Sequence, residues 1–305
     1  MSENTLRQAE NRIVIEGTLL EKRIEEKEIN GQEAITGEID IEIAANEVHT
    51  LRLFAYKNKQ DGTENKIYKG LKTVMDEYKS VASAGKEEAD KVRITAGQLG
   101  LNEYYGQDGE LRSFPQLSTN FINRLKSGEE FNPRAEFEVE VFVKNVVDEI
   151  KNNEETGRAV LNGYIPLHGG KIIPFSFVVA DENAVNYVKD NYEPGKTVKI
   201  YGDIVNFQEK KVVYEEVAFG KPKEKITYNT IREYVVTGGS EPYDDESPKA
   251  YKEETIRKAL AEREVYLEEL KNKRNEEKPK TETKGFDVKG KAKENKKNPL
   301  DDLPF

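Results

Sequence analysis

The 305-residue sequence is long enough for two ordinary domains, each with its own core. Its hydrophobic share of 36% barely exceeds its charged share of 35%, so part of the chain is expected to stay unburied. A net charge of −10 opposes tight binding to a polyanion unless cations gather on one face, and the lack of cysteine excludes disulfides, thiolate catalysis and cysteine metal sites.

No stretch approaches the roughly 18–20 apolar residues that span a bilayer, so no membrane association is expected. The first twelve residues lack the basic start and apolar middle of a signal peptide, and a cytoplasmic location is expected.

In chain order, Ile13 to Ile24 is rich in β-formers, and Gly31 marks a turn. From Ile35 the sequence alternates, with Gly37, Ile39, Ile41 and Ile43 separated by Glu38, Asp40 and Glu42. Such a period of two predicts a strand with one buried and one wet face. Val48 to Lys57 is a third strand, Asn58 to Asn65 a loop around Asp61-Gly62, and Ile67 to Val81 a helix. Lys91 to Leu101 alternates again, and Gly106 to Gly109 turns into a short strand, Leu111 to Ser118.

The same order recurs after Asn132-Pro133. Strands are predicted from Phe137 to Val143, Val160 to Leu167 and Ile172 to Val179, then a helix from Asn183 to Tyr192. Thr197 to Phe207 and Lys211 to Phe219 complete the set. Strand, strand, strand, helix, strand, strand is the order of an OB-fold, a small five-stranded barrel. The chain is therefore expected to be mainly β. It divides into two tandem OB-fold-like barrels (1–130 and 131–237), a linker (238–250), an amphipathic helix (251–274), a disordered tether (275–297) and a terminal tip (298–305). One larger β-sandwich is the competing architecture. Ser247-Pro248 is a plausible cap and first helical position, and Ile256, Ala259, Leu260, Leu267 and Leu270 form the helix's apolar stripe. That stripe either packs on the second barrel or mediates self-association.

Catalytic constellations are missing. The two histidines, His49 and His168, are far apart in sequence and lack metal-ligand spacing. Gly169-Gly170-Lys171 is not a phosphate loop, because Ile172 stands where Ser or Thr would hold Mg²⁺. The acidic run Asp244 to Glu246 reads as a solvated linker. No enzymatic activity, cofactor or resident metal is expected.

A binding surface is easier to find. If Leu51, Leu53 and Ala55 face the core, then Arg52, Phe54 and Tyr56 face outward, with Lys57 and Lys59 just beyond. Unstacked bases lie on such rings while cations hold phosphates, with little regard to sequence. The alternative is that Phe54 or Tyr56 caps the barrel core. Arg93, opposite Val92 and Ile94, extends the same candidate DNA surface. Tyr104, Tyr105, Arg112 and Phe114 surround the last hairpin of the first repeat. In the second repeat the candidates are Lys199 and Tyr201, opposite Val198 and Ile200, and Phe142 and Lys144, opposite Val141 and Val143.

The chain closes with Asp301, Asp302, Leu303, Pro304 and Phe305 after a polar tether. An apolar ring with the α-carboxylate, two acids and a stiffening proline make a compact ligand for a basic-rimmed pocket. This tail resembles that of bacterial and bacteriophage single-stranded DNA-binding proteins, in which OB-folds precede a flexible linker and an acidic tip ending in Pro-Phe. Family tips commonly carry three Asp and then Ile-Pro-Phe, where this chain has Asp301-Asp302-Leu303. The resemblance implies a sequence-independent coat on single-stranded DNA in replication, recombination and repair. It also implies that Asp301 to Phe305 recruit partner proteins. The common bacterial member has one barrel per chain and forms a tetramer, so a tandem chain looks like a divergent phage-type member of unknown oligomeric state. A replisome adaptor, whose barrels bind protein instead of nucleic acid, is the competing reading.

Overall fold

The computed structural model describes residues 6–215, 219 and 223–277. Period-two alternation becomes strand in both halves. The first half contains β1 (Asn11–Ile29), β2 (Gln32–Ala44), β3 (Glu47–Tyr56), β4 (Lys91–Tyr105), β5 (Leu111–Ser118) and the short β6 (Asn123–Arg124). The second contains β7 (Arg134–Lys151), β8 (Glu154–Pro166), β9 (Ile172–Val179), β10 (Thr197–Glu215) and β11 (Lys223–Gly239). Helices α1 (Lys66–Glu77) and α2 (Val81–Ala84) lie between β3 and β4, α3 (Glu182–Asn191) lies between β9 and β10, and α4 (Glu253–Glu277) follows β11.

All strands belong to one eleven-stranded sheet, whose pairings close two rings. In the first, β1 pairs with β2, β2 with β3, β3 with β5, β5 with β4, and β4 returns to β1. In the second, β7, β8, β9, β11 and β10 close in the same order. Each ring has one parallel seam, Leu51 with Leu117 in the first and Val178 with Val235 in the second. The chain is thus mainly β, with the repeated OB-fold-like strand order. Curvature needs corners. At Gly17 an added Cβ would stand 2.4 Å from the Glu42 carbonyl oxygen, so only glycine lets β1 bend from β2 toward β4. Gly202 does the same at a bulge in β10, 1.9 Å from the Val235 carbonyl oxygen.

The rings are joined by hydrogen bonding. Strand β1 also pairs with β7, from Asn11 opposite Val139 to Glu16 opposite Arg134. Ile13, Ile15, Phe137 and Val139 are buried near this seam and merge both interiors into one core. Helix α1 covers one end of the first ring with Tyr68, Leu71 and Val74, and α3 supplies Val185 and Val188 in the second. Lys22 donates to the carbonyls of Val74, Met75 and Tyr78, which ends α1 earlier than the predicted Val81.

Two further predicted boundaries change. No break separates Phe207 from Lys211, because Gln208-Glu209-Lys210 contains no turn former, and β10 runs unbroken to Glu215. The closing strand of the second ring is therefore β11, not Lys211 to Phe219. Past the ring, β10 and β11 continue as a two-stranded ribbon that crosses the β2–β3 turn, where the Gln208 amide donates to the Asn46 carbonyl at 2.8 Å. Helix α4 starts at Glu253 instead of Pro248, since Ser247 to Ala250 form turns. Its stripe packs against β9 and β4, with Ile256 and Ala259 buried and Arg263 and Arg274 reaching the first ring.

Candidate nucleic-acid interface

The alternation in β3 sorts its residues as expected. Leu51, Leu53 and Ala55 are buried, Arg52 is exposed, and Phe54 and Tyr56 are half-buried. The two rings meet edge to face at 4.9 Å between centroids and lie outside the core cluster, so neither caps it. They open on a cleft of about 480 Å³ shared with Gln32, Asn58, Lys59 and Asn120. The Phe54 amide donates to Asn120 at 3.2 Å, which fixes that side chain at the cleft edge. Lys57 is paired with Glu33, and this contact raises its pKa. Arg52 and Lys59 make no ion pair among the described residues, which leaves their charge available. The row therefore offers two aromatic surfaces and two free cations beside amide groups.

The β4–β5 hairpin makes a second aromatic surface. Tyr104 and Phe114 are 42% and 51% exposed, with ring centroids 6.2 Å apart and planes tilted by 30°. Arg112, opposite Tyr104 in the register, is held by Asp108 at 3.0 Å. Tyr105 alternates to the other face, where the Lys271 ammonium lies 5.8 Å from its ring centroid and Arg274 donates to its carbonyl at 2.7 Å. Helix α4 therefore covers Tyr105, while Tyr104, Arg112 and Phe114 face away from it.

Other predicted residues are engaged elsewhere. Arg93 stands opposite Glu16 on neighbouring strands and grips its buried carboxylate at 2.7 and 3.1 Å. That guanidinium, with the Asn132 amide, holds the Glu16 carboxyl below the usual range although burial opposes it. Lys199 bridges Glu10 at 2.7 Å and Glu138 at 2.5 Å, which raise its pKa. Phe142 is buried, and it stands opposite Thr197 of β10, where the segment after β11 crosses. There the Tyr251 amide donates to the neighbouring Thr197 hydroxyl at 2.9 Å. Tyr201 is half-exposed in a cleft of about 350 Å³ between the rings, with Arg12, Glu136, Glu138 and Asp203. Its three acids disfavour phosphate. Lys144 is exposed and lines a separate cleft.

Sequence reasoning missed the ribbon. Lys210 faces Tyr228 and Val212 faces Ile226 across it, with Tyr228 60% exposed. Alternation through Ile226 and Tyr228 was the available signal, hidden because the closing strand was placed too early. In the acidic run, Asp245 pairs with Lys196 at 2.9 Å. Among the described residues no cluster of three or more metal-ligating side chains is assembled, and no helix is long and apolar enough to cross a membrane. The tip, Asp301 to Phe305, lies outside the described residues.

Comparison with known proteins gives one family, YorF, matched over residues 9–273. No curated protein matches at the sequence level. Among solved structures, the chain resembles a deletion variant of the single-stranded DNA binding protein from Thermus aquaticus. The likeness has a TM-score of 0.48 and 12% identity, and covers 80% of this chain and 100% of that one.

Proposed function

The chain belongs to the YorF family, whose match spans both rings and nearly all of α4, and we propose that this unit binds single-stranded DNA without regard to sequence. The observation that carries the reading is the outward row of β3. Arg52, Phe54 and Tyr56 stand on a face whose reverse, Leu51, Leu53 and Ala55, is fixed in the core. A rigid strand thus presents stacking surfaces and cations at alternate positions, and every base has a π-face to stack. Tyr104, Arg112 and Phe114 continue the surface on the hairpin. Chains of this kind would coat single strands exposed in replication and recombination. The tip Asp301 to Phe305 would recruit replication and recombination proteins by offering the Phe305 ring and the Asp301 and Asp302 carboxylates to a basic-rimmed pocket.

Fluorescence titration of oligo-dT tests the binding, with tyrosine as reporter because the chain has no tryptophan. Saturable quenching that weakens as salt rises is expected. No binding at low salt would refute the proposal. Deleting Leu303 to Phe305 is expected to abolish capture of replication proteins while leaving oligo-dT affinity equal or higher.

One observation favours a second reading. The sequence pI is about 5.2, and Lys57, Arg93, Arg112 and Lys199 are held by carboxylates. A surface so neutralised suits a protein-binding adaptor, which would show no salt-dependent affinity for oligo-dT.

A further inference from the structure

Two clefts separate the rings, and their chemistry differs. The acidic one, with Glu136, Glu138 and Asp203, contains Tyr201. The other, of about 350 Å³, lies where the β4–β5 hairpin leans over the second ring. It is lined by Leu101 and Pro115 from the hairpin, by Lys144 from β7, and by Asn162, Phe175 and Ser176 from β8 and β9. No acidic side chain lines it. Its volume falls at the low end of the roughly 300–1,000 Å³ typical of pockets for small organic ligands.

The polar groups there are already ordered. Asn162 donates to Asn145 at 2.9 Å and accepts from Ser176 at 2.6 Å, forming an amide–hydroxyl ladder across three neighbouring strands. Within the cleft this leaves the second Asn162 amide hydrogen and an acceptor on the Ser176 oxygen for a ligand, with Asn145 orienting Asn162 from behind. Elsewhere on the second ring, Lys151 and Arg158 are paired with Glu233, and Lys189 with Asp148. Lys144 has no ion-pair partner among the described residues. A cation without a counter-ion, beside a ladder with spare donors and acceptors and no acid, suits an anion attached to a polar planar group.

We infer that this cleft holds a nucleotide of the same single strand that lies on the first ring, with Lys144 on its phosphate and Asn162 and Ser176 on its base edge. The inference rests on the proposed DNA binding. It adds a second, chemically different subsite, one that hydrogen-bonds where the first stacks. The path is continuous, because Pro115 follows Phe114 on β5 and lies on the hairpin's other face. A strand leaving the Phe114 ring turns over the β5 edge to enter.

The test is a length series. Oligo-dT of ~8 nucleotides fills the first ring alone, and ~25 nucleotides reaches the second, given ~4–16 nucleotides per OB-type unit. Lys144→Glu is expected to weaken the long oligomer about tenfold and leave the short one unchanged. Asn162→Ala is expected to do the same without altering the salt dependence, whereas Lys144→Ala lowers the salt slope by about 0.7. Short-oligomer affinity also checks folding, and Lys144 is exposed, so its replacement leaves the core intact. If the wild type gains nothing from the longer oligomer, or Lys144→Glu and Asn162→Ala bind both lengths like the wild type, the cleft is no nucleotide site although DNA binding stands. If the wild type binds neither length, both readings fall.

Discussion

Glu103 on β4 and Arg263 on α4 lie 160 residues apart in sequence and meet through two contacts of 2.8 and 2.5 Å. Ser113 on β5 donates to the same carboxylate at 3.0 Å. One acid therefore ties both strands of the hairpin to the helix, with the Arg263 and Glu103 side chains only 13% and 9% exposed. Glu103→Ala leaves the guanidinium half-desolvated without a partner, and is expected to cost about 1.5–3 kcal/mol in urea unfolding. Replacing both residues with leucine should recover part of that loss, because no lone charge remains. In each variant, hydrogen exchange at the Tyr104 and Phe114 amides should rise.

Phe54 and Arg93 make an informative contrast. Phe54→Ala and Tyr56→Ala remove stacking surface outside the core, and each should weaken oligo-dT binding by about 1–3 kcal/mol with little change in melting temperature. Arg93→Ala should do the opposite, destabilising the fold by about 3 kcal/mol because it strands the buried Glu16. Its binding defect should vanish at temperatures where it stays folded. An Arg93→Ala variant with wild-type stability and weakened binding would show that this guanidinium serves DNA instead.

The Glu140 carboxyl group is fully buried, held by Arg7 at 2.7 Å, the Glu10 amide at 2.8 Å and the Tyr251 hydroxyl at 3.2 Å. It fastens the segment before β1 and the segment after β11 onto β7. Glu140→Ala is expected to cost about 3–5 kcal/mol and to make residues 6–10 and 243–251 sensitive to limited proteolysis together. Cleavage at one segment alone would contradict a shared anchor.

His49 sets the response to acid. Its ring is buried beside the β2–β3 turn, neither nitrogen has a hydrogen-bond partner, and burial pushes its pKa down from 6.5 to about 4. The folded state thus favours neutral imidazole. Above pH 6.5 both states are neutral and nothing is lost. Between 6.5 and 4 only the unfolded chain takes the proton, so stability falls by about 3 kcal/mol in total as pH drops. His49→Leu should abolish that component and hold or raise stability at pH 7, since two unsatisfied nitrogens disappear. Urea midpoints from pH 4 to 8 provide the measurement.

Residue pattern revealed most of the strands, and the β3 face in full, because alternation reports directly which side is wet. It revealed less where one strand serves two neighbours. Phe142 and Lys199 alternate like surface residues, but Glu10 from ahead of β1 takes Lys199 and a segment from beyond β11 meets this face at Thr197, and nothing local encodes either. Arg93 looked free because its partner Glu16 is distant in sequence, and pairing register is a property of the assembled ring. Asn162 and Ser176 gave no signal at all, since amides and hydroxyls on strands are ordinary until three of them line up.

The pairing of β1 with β7 has a mechanical consequence. Units joined by a flexible linker dock one at a time, so the length of strand they occlude varies with salt and loading. Here backbone hydrogen bonds from Asn11 to Glu16 lock the halves in register, and under the proposed DNA binding the pair would act as a ruler. Each chain should protect one fixed length of strand from nuclease across a wide range of salt, in a single footprint whose size is set by the seam.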